Sequence, residues 1–205
     1  MYAPPCNRPE DRAELLEFMR ASNFVVFVTG TGGRLHASHL PVVVEERGET
    51  IVLHLHMARA NPQWQEFLDE EAMVVFAGPH AYVSPRWYEQ AERVPTWNYA
   101  AVHAYGVPCV VEGRAAKHAS QRRLVELLDP QWLPAFDALR EAYVDSMLEG
   151  IVTFDIEVAR LEARWKLSQN RGRREQELII AELEQSADST QRALAALTRR
   201  HRAAE

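Results

Sequence analysis

Cysteine is scarce in this 205-residue chain: Cys6 and Cys109 are the only two, and they form no Cys-x-x-Cys pair. Neither a disulfide framework nor a cysteine zinc site can be built from them. Lysine is as rare, with only Lys117 and Lys166 among 23 basic residues. No run approaches the ~20 apolar residues that cross a bilayer, and no charged-then-apolar leader opens the sequence, so the chain is read as cytoplasmic and without a membrane partner. Nucleophile elbow, P-loop, GxGxxG and HExxH patterns are all missing, which removes the hydrolase, phosphotransferase and Rossmann readings. Positive charge is in deficit overall, 23 Lys+Arg against 29 Asp+Glu for a net charge of -6. A surface that tracks nucleic acid phosphates everywhere is therefore excluded. The balance is uneven: from Arg160 onward ten basic residues face seven acidic ones, a local +3 that leaves -9 for residues 1–159. This mild basic tail reads as a solvated helix face rather than a DNA arm.

What is present describes a folded protein, 47% hydrophobic and 25% charged. Asn7-Arg8-Pro9-Glu10 has the form of a capping box opening a first helix. Phe24 to Val28 and Leu35 to Val44 predict a hairpin around the five-residue loop Thr29-Gly30-Thr31-Gly32-Gly33. Ile51 to Met57 predicts a strand with Leu53, Leu55 and Met57 on one face and His54 and His56 on the other. Asn61-Pro62 opens a short helix reaching Phe67 or Leu68. Met73 to Phe76, Tyr82-Val83 and Val94 to Val111 add strands, broken at Gly78-Pro79, at Ser84 to Arg93 and at Gly106-Val107-Pro108. Lys117 to Leu128 and Leu133 to Leu148 predict amphipathic helices, the second with Phe136, Leu139, Tyr143 and Met147 on one side. Ile151 to Leu161 is a last long strand. Helices around Leu178 to Leu183 and from Asp188 onward complete the chain. Strands in a run with few intervening helices predict a mainly β, α+β protein built on an antiparallel barrel. Two regions are expected: a barrel domain over 1–170 and a helical extension over 171–205 packed on the barrel or on a partner subunit.

Polar residues concentrate at strand ends. Arg59 precedes a helix start capped by Asn61, a combination that suits a phosphate, although a plain cap with Arg59 on a surface carboxylate accounts for the same spacing. His36, His39, His54 and His56 have no Asp or Glu near them in sequence, so they read as pocket or solvated-face imidazoles rather than metal ligands. No metal is expected. Gly78 to Tyr88 and Val94 to His103 mix Trp and Tyr with Thr, Asn and His, which fits either a barrel core or the walls of a pocket for a flat conjugated ring. Lys166-Leu167-Ser168-Gln169-Asn170-Arg171 is a polar loop that holds one of the two lysines.

These segments, His39-Leu40-Pro41, His56 to Trp64, Gly78 to Pro85 with Trp87-Tyr88, Val94 to Tyr99 with Val102-His103-Ala104, and Lys166 to Arg171, together resemble the PaiB-type FMN-binding negative transcriptional regulators. The matches run in order over roughly Met1 to Leu183. The resemblance implies an FMN-binding split β-barrel, similar in fold to pyridoxamine 5'-phosphate oxidase, working as a homodimer. It implies FMN contacts from Ser38, His39 and Leu40 near the ring, from His56, Arg59 and Asn61 toward the phosphate, and from Trp97, Asn98 and His103 along the wall. Lys166, Ser168, Gln169 and Asn170 would come from the C-terminal motif. It further implies repression of genes for degradative enzymes or sporulation. Direct DNA binding is doubtful, since no helix-turn-helix with a basic recognition face is visible. An FMN-dependent oxidoreductase or flavin reductase is the alternative, and haem in place of FMN a more distant one; no residue is assigned a catalytic role. The chain departs from the family at Glu89 to Arg93, where lysine is frequent, and at Ala163, where glycine is common.

Overall fold

The computed structural model describes residues 1–202 except 10, 68, 69, 90 and 91. A short 3-10 turn over Pro5–Asn7 leads to helix α1 (Arg12–Ala21), whose first turn is held by the Asp11 carboxylate accepting from the Ala13 N–H at 2.8 Å. Asp11, not Asn7, therefore caps this helix; Asn7 is buried in the 3-10 turn, and Glu10 of the expected box lies outside the described residues.

Strands β1 (Phe24–Thr31) and β2 (Arg34–Arg47) form the expected hairpin, but with Thr31 opposite Arg34 the loop is only Gly32-Gly33. Both glycines have positive φ, 59° and 80°, the mirror-image turn whose twist matches the flanking strands. Then come β3 (Thr50–Ala58), a five-residue 3-10 turn over Pro62–Glu66, β4 (Ala72–Val83), β5 (Thr96–Gly106) and β6 (Pro108–Val110). Helices α2 (Arg114–Leu128), α3 (Leu133–Asp137) and α4 (Glu141–Glu149) precede β7 (Ile151–Glu157) and β8 (Arg160–Lys166). Helices α5 (Arg173–Glu184) and α6 (Ser189–Arg200) close the described chain.

The strands form one sheet in the order β6-β7-β3-β2-β1-β4-β5-β8. β1–β2, β1–β4, β2–β3, β3–β7 and β6–β7 all pair antiparallel. The architecture is antiparallel with flanking helices, as the strand pattern predicts, and is the split barrel that the resemblance implies.

Four expectations about elements change. β4 does not break at Gly78-Pro79, because Gly78 answers a packing need rather than a turn: a Cβ there would strike the Phe18 ring and lie 3.1 Å from the Ala100 carbonyl oxygen. The segment from Leu133 to Leu148 is two helices, and the interruption changes the phase of the second. Val144 and Leu148 become its buried positions, while Tyr143 and Met147 are exposed. The strand expected from Ile151 to Leu161 divides at Val158 and Ala159, whose N–H groups donate to Ile51 and Tyr105 carbonyls. The turn after Asn61 is 3-10, and Leu68 lies outside the described residues.

By its internal contacts the chain divides into two compact units. One comprises Met19–Phe76 and His103–Leu161. Its core gathers Phe27, Phe67 and Phe154, with ring centroids 4.9 to 5.7 Å apart, beside Leu53, Leu55, Met57 and Ile156. The other comprises Met1–Phe18, Ala77–Val102 and Glu162–Glu205. There Trp165 lies 4.6 Å from Phe18, centroid to centroid, and α5 packs on α6 through Ile179, Ile180, Leu183, Leu194 and Ala195. Part of the basic tail is ion-paired: Arg173 and Arg202 with Glu177, Arg174 with Glu89, and Arg199 with Glu184. Among the described residues no helix is long and apolar enough to cross a membrane.

Candidate functional site

In the unit built on β1, β2 and β3, a connected polar cluster surrounds Gln63, a side chain only 2% exposed. Asn61 caps the 3-10 turn by accepting from the Gln63 N–H at 3.0 Å, and its Nδ2 donates to Ser38 Oγ at 2.8 Å. Ser38 in turn donates to Gln63 Oε1 at 2.5 Å. Gln63 Nε2 faces the Phe27 and His36 carbonyls and Thr29 Oγ1, and Thr29 donates to Glu66, which also pairs with His36. Ser38 and Asn61 are thus brought into contact as expected. Gln63 lies within the motif from His56 to Trp64 but carries no assigned role there, although it follows Asn61-Pro62 directly and a buried amide must find partners.

The neighbours expected around them have varied roles. His39 is exposed and stacks on Phe24 at 6.1 Å, and Leu40 is a core residue. His56 is half-buried opposite Thr153, whose buried hydroxyl has no partner among the described residues; burial pushes the His56 imidazole below its ordinary range. Arg59 donates from Nε to the Glu149 carbonyl at 2.7 Å and from Nη2 to the Ile151 carbonyl at 3.0 Å, which ties the end of α4 to the end of β3. It also borders a 660 Å³ cavity with Arg114, Lys117, Asp145 and Glu149. The surface-carboxylate pairing considered for it is not what it makes. His103 is half-buried, its ring 6.3 Å from that of Tyr105.

His54 corrects the view of its face as a solvated one or a ligand pocket. It is 3% exposed, with Nδ1 2.7 Å from Asp155 and Nε2 2.6 Å from Glu45. Sequence distance hid these carboxylates; the β2–β3–β7 register delivers them from the neighbouring strands. No three-residue metal-binding group occurs among the described residues.

In the other unit the C-terminal motif converges with β5. Asn98, fully buried, donates to Ser168 Oγ at 2.8 Å, and Lys166 Nζ donates to Thr96 Oγ1 at 2.6 Å. Burial, then the nearby Arg164, lowers the Lys166 pKa. Ser168 sits at φ 63°, a left-handed conformation held by buried Gln176, which donates to the Ser168 and Arg171 carbonyls. Thr96, Asn98, Lys166, Ser168 and Asn170 line a 410 Å³ cavity together with Arg164 and Arg171. Gln169 turns inward instead, accepting from the Leu167 N–H and donating to the Trp165 carbonyl. Trp97 is exposed, in an aromatic group with His80 and Tyr82. The sequence motif quoted Thr96 and Arg171 without a role, and Arg164 and Gln176 gave no signal beyond their polarity.

Comparison with known proteins agrees with this architecture. Residues 1–160 match the family model described as "Putative FMN-binding domain". The "Protease synthase and sporulation protein PAI 2" of Bacillus subtilis is 34% identical over 199 residues, 96% of each chain. Among solved structures, the FAD and heme binding protein from Mycobacterium smegmatis superposes with a TM-score of 0.61 at 13% identity, over 77% of this chain and 72% of that one. The flavocytochrome Anf3 from Azotobacter vinelandii gives 0.60 at 14% identity, over 77% and 68%. These define a split-barrel protein of a flavin-binding type. The chain belongs to the PaiB-type FMN-binding domain family.

Proposed function

We propose that this protein binds FMN as a homodimer and acts as a negative regulator of genes for degradative enzymes or sporulation. The observation that carries ligand binding is the 410 Å³ cavity, where residues from Thr96 to Arg171 supply three cations beside neutral hydrogen-bonding groups. That donor set fits a flavin nucleotide: Lys166, Arg164 and Arg171 suit a phosphate dianion, and Thr96, Asn98, Ser168 and Asn170 suit hydroxyls and ring heteroatoms. Within the other unit, taken by itself, Ser38 and Asn61 form a polar pair of similar hydrogen-bonding chemistry. Bound flavin would supply electron or hydride transfer, and the chain's own residues bind and orient it.

The regulatory part rests on likeness to the sporulation protein. With part of its basic tail ion-paired and a net charge of -6, the chain is poorly suited to track DNA phosphates, so its effect on transcription is assigned to a protein partner. The exposed Tyr82 and Trp97 support a self-association surface.

A visible-absorption titration with FMN tests the reading. Saturable binding by a protein of dimeric mass in light scattering, weakened tenfold or more in Lys166→Ala, is expected. Absence of binding by the wild type would remove it. A mobility shift of the promoter region at physiological salt would replace the partner-mediated route with direct DNA binding.

A further inference from the structure

The geometry points to Gln63 as the residue that decides what Ser38 can offer a ligand, and to an imide edge, an N–H beside a carbonyl, as the chemistry recognised there. The inference rests on the reading that the protein binds flavin and concerns only the part of a flavin that Ser38 and Asn61, within their own unit, can recognise.

Groups whose hydrogen-bonding sense is fixed determine the polarity of the cluster. Gln63 Nε2 lies 3.4 Å from the Phe27 carbonyl oxygen and 3.2 Å from that of His36. Carbonyls only accept, so the amide nitrogen of Gln63 must occupy this position, and a flipped amide would set oxygen against oxygen. Oε1 is then the atom 2.5 Å from Ser38 Oγ, and because it cannot donate, the single Ser38 proton is committed to it. On the other side, the Gln63 backbone N–H fixes Asn61 Oδ1 as its acceptor at 3.0 Å. Asn61 Nδ2 therefore faces Ser38 and donates to it at 2.8 Å.

Two capacities are left over. Ser38 has spent its proton and retains a lone pair, so toward a ligand it only accepts. Asn61 has one N–H still available, so toward a ligand it donates. An acceptor and a donor whose atoms are 2.8 Å apart match a ligand edge with N–H next to C=O. The oxidised flavin ring carries one N–H, that of its imide, with a carbonyl on either side, and neither a phosphate dianion nor a ring nitrogen lacking hydrogen satisfies Ser38. Gln63 is a positioning residue here: it is 2% exposed and acts through Ser38.

The test compares FMN with N3-methyl-FMN, in which the imide N–H is replaced while the phosphate is kept. Wild-type protein is expected to bind FMN roughly three- to tenfold more tightly than the methylated analogue, the worth of one hydrogen bond. Ser38→Ala should weaken FMN by a similar factor and leave the analogue unchanged. A Gln63→Leu variant, shown to be folded by far-UV circular dichroism, releases the Ser38 proton and should narrow the discrimination toward unity. Equal wild-type affinity for the two ligands, or an equal loss of both in Ser38→Ala, overturns the imide assignment while leaving flavin binding intact. Undiminished discrimination in folded Gln63→Leu removes Gln63 from the role. If the wild type binds neither ligand, the flavin reading itself fails and takes this inference with it.

Discussion

At Glu45 one carboxylate joins the Arg47 guanidinium on its own strand to the His54 ring on the next. The Arg47 hydrogen bond, followed by that of His54 and their charges, outweighs partial burial and holds the Glu45 pKa down at about 2 against an ordinary 4.5. A depressed carboxyl contributes stability that is fully present above its unfolded value and is lost as pH falls from about 4.5 toward 2. Thermal midpoints of the wild type and Glu45→Gln should therefore differ at pH 6 and converge near pH 2; parallel curves would deny the coupling. Glycine gives a second prediction at this scale. A Cβ on Gly106 would overlap the Glu157 backbone oxygen, whereas one on Gly78 meets mainly the Phe18 ring. A ring can tilt and a paired strand cannot, so Gly106→Ala should cost more than the ~1–3 kcal/mol usual for overpacking, with Gly78→Ala inside that range, as measured by urea unfolding.

At the scale of elements, the helix ends show what local chemistry specifies. Asp188 accepts from the Thr190 N–H at 2.8 Å at the start of α6, as the Asp188-Ser189-Thr190-Gln191 pattern implies. Asp188→Ala should cost about 1 kcal/mol in denaturant unfolding, with the far-UV signal of the folded state retained. The hairpin, the β3 alternation and the cap at Asn61 were equally legible, since each depends on residues within a few positions of one another. What was not legible depended on partners far away in sequence. Gly78-Pro79 has the form of a turn, yet β4 runs through it because Phe18 needs the space. Tyr143 and Met147 keep a helical period from Phe136, but the interruption between α3 and α4 turns that face outward. The acidic residues nearest His54 in sequence, Glu49 and Glu46, are not its partners; Glu45 is nine positions away and Asp155 is 101, and only the strand register brings both to its ring. The candidate site divides in the same way. The motif residues Asn98, Lys166, Ser168 and Asn170 do meet in one cavity, while Gln63 and Gln176, which orient their neighbours from the interior, carry no pattern that separates them from surface glutamines.

For the whole molecule, ligand binding and folding are linked, because a flavin held only by the native state stabilises it by mass action. At a free concentration a hundredfold above Kd the gain is about 2.7 kcal/mol. In a chain of 205 residues this corresponds to a rise in Tm of roughly 5–10 °C. The size of the gain should follow the phosphate. Lys166, Arg164 and Arg171 lie around one cavity, and the lowered Lys166 pKa reflects the cost of burying that cation, with Arg164 nearby adding to it. A phosphate would offset that cost, and riboflavin, which lacks one, would not. At equal ligand concentration FMN should thus raise Tm more than riboflavin in the wild type. In Lys166→Ala the difference between the two ligands should shrink, because one of the three cations is gone, while the smaller riboflavin shift is kept. Differential scanning fluorimetry reads all four values. If FMN and riboflavin shift the wild type equally, no cation of the chain reads the phosphate; if they differ and Lys166→Ala keeps the whole difference, the anchoring falls to Arg59, whose Ala variant should then be the one that loses the distinction.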